Sequence, residues 1–207
     1  MNGASTEVRA GVSLLERAVG YTLGVLPLVT DEALGRATPC ERWDLRLLLV
    51  HLEDSLAALN EAVDCGHVSV SVSASVDCGA GAPPPGPDAD TDAARLVGSV
   101  RDLCRRLIAA WSCDDGEHEV IDVGGLPLSS AIVTGTGAIE IAVHGWDIAR
   151  ACGADRPLPA PLAEELLDLA PHFVHPLDRP VRFADPVRVP HDAAAGERLL
   201  GFLGRRA

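Results

Sequence analysis

Residues 140–147 read E-I-A-V-H-G-W-D, which sets a carboxylate and an imidazole four positions apart inside an apolar run. If the run is helical, Glu140 and His144 lie one above the other on a single face and can direct their side chains at one point, a spacing that suits a metal ion. The same spacing also serves an exposed surface pair or a hydrogen-bonded core pair. Ile139, Ile141 and Val143 place both residues where an unpaired carboxylate is costly, which favours a shared partner. Two ligands do not hold a metal, and the best third candidate is His51, in the apolar run of residues 45–52. By itself a histidine there is more often a satisfied core residue, so the case for His51 rests on the other two. A His51/Glu140/His144 set would leave coordination positions open, as catalytic sites do.

Several neighbours bear on that set. Asp147, three positions after His144, could orient the ring as an acceptor or pair with an arginine. Thr136 and Gly137, one turn before Glu140, are small enough to leave space above a metal. Asp44 fits a helix cap, Trp43 a packing anchor and Cys40 a packed thiol. His172 and His175 are a weaker metal pair, three apart, beside prolines and without an acidic partner. His67, His118 and His191 belong to no constellation.

The elements that must position these residues are mostly helices. Val8, Val12, Leu15, Val19, Leu23 and Leu26 recur at helical spacing and predict a first helix ending near Pro27. After a connector over 30–42, Asp44 opens a second helix that carries His51 to about Val63. Residues 66–90 turn to Ser, Val, Gly and Pro and read as one short strand followed by a flexible loop. Ala93, Val97, Val100, Cys104, Leu107 and Trp111 predict a third helix, capped by Asp90 or Thr91. Residues 117–123 and 126–129, parted by Gly124 and Gly125, read as a hairpin or two extended segments.

The fourth helix should run from Ser130 to Cys152, with Gly153 as its terminator. Gly135 and Gly137 inside it cost roughly 1 kcal/mol each against alanine, which predicts a close approach there, by another backbone or a ligand. Residues 161–173 make a fifth helix, 181–183 an extended segment and 192–203 a last helix. The expectation is a mainly α chain: a four-helix bundle over residues 1–153 with a short irregular or β insertion, and a small C-terminal extension over 154–207 packed on it.

Composition narrows the function. With 207 residues and 47% hydrophobic content, the chain can bury a core of its own. A formal net charge of -13 repels phosphate backbones, which argues against nucleic acid. All 17 basic residues are arginines, so lysine Schiff-base chemistry is excluded. No basic flank precedes an apolar core at the N-terminus and no apolar run reaches membrane-spanning length, so a cytoplasmic protein is expected. The six cysteines include no C-x-x-C pair, and in a reducing compartment most of them read as small buried hydrophobes.

Residues 38–46, T-P-C-E-R-W-D-L-R, with the leucines around His51, resemble the T-P-C-x-x-W-D-V-R-x-L-x-x-H segment of the DinB-like superfamily, in its mycothiol-dependent maleylpyruvate isomerase branch. Residues 140–153, E-I-A-V-H-G-W-D-I-A-R-A-C-G, resemble that branch's second signature, E-x-x-x-H-x-W-D-L-A-R-A-T-G. Residues 199–205 are similar to its L-L-x-F-L-G-R ending. Two separate motifs in the right order make the resemblance specific. It implies a DinB-like four-helix bundle that binds a divalent metal, zinc first, through His51, Glu140 and His144. It also implies mycothiol or a similar thiol as co-substrate.

The full isomerases carry a larger C-terminal domain for which this chain is too short. The expectation is therefore a short member that activates its thiol for S-transfer or thiol-assisted isomerisation of a small electrophilic metabolite. Rival readings are a metal-hydroxide hydrolase or lyase on the same site, a non-catalytic metal or small-molecule binding protein, and an interaction bundle in which Glu140 and His144 only pair with each other. The expected partners are a small-molecule substrate and a thiol, with a second copy of the chain as a candidate, and neither nucleic acid nor membrane.

Overall fold

Helical periodicity in the sequence becomes six helices in the computed structural model, which describes residues 2–40, 43–69, 92–113, 119–179 and 183–206. They are α1 (Asn2–Val25), α2 (Leu45–Cys65), α3 (Ala93–Cys113), α4 (Ser130–Ala151), α5 (Ala160–Phe173) and α6 (Ala195–Phe202). Three short strands, β1 (His67–Val68), β2 (Val120–Val123) and β3 (Leu126–Ser129), complete a mainly α, DinB-like fold. Pro27 falls in the 3-10 turn Leu26–Leu28 that ends the first helix. No helix among the described residues is long and apolar enough to cross a membrane.

Local chemistry sets the boundaries. Asp44 starts α2, its carboxylate accepting the Leu47 N–H at 2.9 Å, and Gly66 ends it in the left-handed region at φ 68°. Ser129 caps α4 through the Ile132 N–H, and Gly153 at φ 75° follows its end. For α3 the expected caps Asp90 and Thr91 lie outside the described residues, as does the expected loop within 70–91. Asp92 accepts the Arg95 N–H at 2.7 Å, and Asp31, from the α1–α2 connector, takes the Ala93 N–H at 2.8 Å. Positions 181 and 182 of the expected extended segment also lie outside.

The hairpin β2–β3 pairs Val120 with Ser129 and Val123 with Leu126, and Gly124 and Gly125, at φ 60° and 86°, supply the two left-handed residues of its tight turn. β1 joins it in parallel, His67 opposite Asp122.

In the bundle, α4 lies between α1 and α2, and α3 closes the ring against both of these. α5 lies on α4 and α1, and α6 lies on α5. Residues 141–149 of α4 are buried without a break. A helix enclosed in this way reads as apolar all round rather than striped, and any polar residue in it must find a partner.

The helical glycines are where neighbours come close. A Cβ on Gly145 would stand 2.4 Å from Thr22 Oγ1, one on Gly137 2.8 Å from Leu59 Cδ1, and one on Gly135 3.3 Å from the Phe173 ring. The approach expected at Gly135 and Gly137 is thus made by side chains of α5 and α2. Leu59 takes up the room expected at Gly137, and Thr136 is exposed.

Candidate metal centre

The segment before α2 is tied to itself. Thr38 N–H and its hydroxyl both bind the Trp43 carbonyl, at 3.1 and 2.9 Å, while the Trp43 N–H binds the Cys40 carbonyl at 3.1 Å. Leu45 N–H returns to the Arg36 carbonyl at 2.9 Å. These bonds set Trp43 at the mouth of α2, buried, with its ring 4.6 Å from that of His51 and 6.2 Å from that of His144. The packing anchor of the sequence therefore packs on the two imidazoles. Cys40 is buried in the same loop.

On α2, Leu45, Leu48, Leu49, Leu52 and Leu56 fill the core, which leaves His51 on a half-buried strip facing α4. His51 Nε2 lies 2.6 Å from Glu140 Oε1, across 89 positions of sequence. His144 Nε2 reaches the same oxygen at 3.1 Å, as the i, i+4 spacing requires. One ligand atom from each of the three residues lies within 4.8 Å of the other two, and this is the one group of its kind among the described residues. His172 and His175 are exposed, and His175 Nδ1 accepts the Leu177 N–H. His67 and His191 are exposed, and His118 lies outside the described residues.

Asp147 takes both roles open to it in the sequence. It is fully buried, its Oδ2 accepts from His144 Nδ1 at 3.0 Å, and it pairs with Arg205 Nη2 at 3.2 Å. With Nδ1–H turned to Asp147, the Nε2 of His144 is the nitrogen presented to Glu140 and His51. This is the arrangement by which a buried carboxylate fixes the tautomer of a ligating histidine.

Charge follows from the packing. Burial works against ionised Glu140, but the two histidines outweigh it and hold the carboxyl well below its ordinary value. Burial likewise opposes a charged His144 ring, yet Glu140 and Asp147 push it up to about 10. Asp147 is held low against its own burial by Arg205 and His144.

Two further members of the site were not assigned to it from the sequence. Ser55 Oγ stands 3.4 Å from Glu140 Oε1 and 3.5 Å from His51 Nε2. The i, i+4 rule that joined Glu140 to His144 also joins His51 to Ser55 and could have found it. Arg205 comes from beyond α6, 58 positions after Asp147; it closes the 199–205 ending that the sequence shows, but nothing local marks it as the partner of Asp147.

Fold and site together define a DinB-like helical bundle carrying a His/Glu/His cluster between two of its helices. The chain belongs to the family described as mycothiol maleylpyruvate isomerase N-terminal domain, whose sequence model matches residues 15–149 and so spans all three cluster residues. Among solved structures the chain is similar to a mycothiol-dependent maleylpyruvate isomerase, at 16% identity and a TM-score of 0.55, over 78% of this chain and 66% of that one. A mutant of a mycothiol-dependent maleylpyruvate isomerase matches at 14% identity and a TM-score of 0.54, with the same coverage. The match thus spans just under two thirds of those enzymes. No curated protein matches the chain.

Proposed function

We propose that this chain is a metal-dependent enzyme that uses a low-molecular-weight thiol, mycothiol or one like it, for S-transfer or thiol-assisted isomerisation of a small electrophilic metabolite. The observation that carries the reading is the convergence of His51 Nε2, Glu140 Oε1 and His144 Nε2 on one point between α2 and α4. Two imidazole nitrogens and one carboxylate oxygen suit zinc and its neighbours among the divalent metals, and three protein ligands leave room for an exchangeable group. The fit extends outward, since Asp147 frees the correct nitrogen of His144. When bound, a divalent metal favours the thiolate form of a thiol that coordinates it.

The chain's own residues do the rest. Trp43 covers one side of the two imidazoles and keeps water from it, and Asp147 with Arg205 holds His144 in register. Family membership supports the thiol. Residues 1–153 form the metal-binding bundle in this reading, and 154–207 the extension that supplies Arg205. A thiol-using enzyme belongs where thiols stay reduced, so we place it in the cytoplasm.

The test is metal analysis of the purified chain followed by turnover of maleylpyruvate and simpler electrophiles with and without thiol. About one divalent metal per chain and thiol-dependent turnover are expected. Turnover of an electrophile or ester that ignores thiol would replace this reading with the hydrolytic one, and bound metal without any turnover would favour a binding protein.

A further inference from the structure

We infer that Ser55 holds the sulfur of the co-substrate by a hydrogen bond, an assignment that rests on the thiol reading above. Ser55 lies one turn beyond His51 on α2, half-buried, with Oγ 3.5 Å from His51 Nε2 and 3.4 Å from Glu140 Oε1. It therefore touches a donor atom from each of the two helices that build the cluster. Access runs along the same side. The His51 and Glu140 side chains are 23% and 32% exposed, whereas that of His144 is 4% exposed, so a small molecule entering from solvent meets the cluster at His51 and Glu140.

A purely supporting role for Ser55 fits the distances less well. At 3.4 and 3.5 Å its contacts are longer than the roughly 2.5–3.0 Å usual for O–H donors, against 2.6 Å for the His51–Glu140 contact. Once a metal engages the single lone pair of His51 Nε2 and one of those on Glu140 Oε1, these long contacts weaken further and the hydroxyl can turn its proton to whatever occupies the exchangeable position. A serine hydroxyl is neutral, so it neither adds charge to the cluster nor takes the thiol proton. It can donate to a thiolate sulfur, orient it toward the electrophile and slow its departure.

The test uses cobalt-substituted full-length protein titrated with mycothiol and, separately, with N-acetylcysteine, read by sulfur-to-cobalt charge-transfer absorption. Ser55→Ala should keep its cobalt and its thiol-free visible spectrum, while the titration midpoint rises about tenfold or more, as expected for loss of a hydrogen bond to a charged acceptor. Ser55→Thr, which retains the hydroxyl, should recover most of that loss. A midpoint within twofold of wild type in Ser55→Ala overturns the assignment to Ser55 alone, as does loss of cobalt from that variant, which would make Ser55 a support for Glu140. Absence of any thiol-dependent band in wild type overturns the thiol reading itself, and the role of Ser55 with it.

Discussion

Asp147→Asn keeps the shape of a buried side chain and removes its charge, so it measures how far the cluster depends on the carboxylate behind His144. Asp147 is 0% exposed, with His144 Nδ1 at 3.0 Å and Arg205 Nη2 at 3.2 Å from the same oxygen. A neutral amide can still accept from the ring but polarises it less. Metal affinity should fall about 10- to 100-fold, or roughly 1.4–2.8 kcal/mol, the usual effect of losing such a partner. A second effect arises at Arg205, 8% exposed, which would lose its buried counter-charge. Breaking a buried pair costs about 3–5 kcal/mol, and the bond from Arg205 Nη1 to the Leu203 carbonyl at 3.0 Å should keep the loss to the lower end.

The two effects separate in Asp147→Asn combined with Arg205→Met. The double variant should regain much of the stability and none of the metal affinity. Zinc affinity is read by competition with a chelator, and stability by thermal unfolding of the metal-free protein. Affinity within twofold of wild type in Asp147→Asn, alongside a lowered Tm, would refute the claim that the carboxylate acts through His144. An unchanged Tm would refute the buried pair.

His144→Ala should abolish stoichiometric metal binding by elemental analysis, and full occupancy in that variant would mean the site lies elsewhere. Because His144 is pushed up to about 10 in the metal-free chain, a metal must displace its proton at neutral pH. Apparent affinity should rise by about tenfold per pH unit for that one proton up to the folded pKa, and a flat profile from pH 6.5 to 9 would show that the ring is already neutral. The linked stability has the opposite sign in the metal-free chain: the raised pKa stabilises fully below the unfolded value near 6.5, and the contribution is lost as pH rises through about 10. Gly145→Ala should destabilise by about 1–3 kcal/mol, since its Cβ would stand 2.4 Å from Thr22 Oγ1, which itself binds the Ile141 carbonyl at 2.8 Å. A Tm above wild type would mean that helix propensity outweighs that contact.

The sequence by itself determined what depends on the backbone's own period and on short-range hydrogen bonds. Asp44 as a cap, Gly153 after a helix end, the Gly124–Gly125 turn and the Glu140/His144 pair all involve partners within four positions, where helix or turn geometry fixes who meets whom. At the α3 N-terminus Asp92 accepts the Arg95 N–H, while the expected caps Asp90 and Thr91 lie outside the described residues. Tertiary structure alone decided the 2.6 Å meeting of His51 with Glu140, which requires α2 and α4 to pack in one register, and the arrival of Arg205 at Asp147. It also decided that Leu59, Phe173 and Thr22 fill the space beside the α4 glycines. A small residue announces that something comes close, but which side chain does so depends on the packing of helices far apart in the chain, and no local rule encodes that choice.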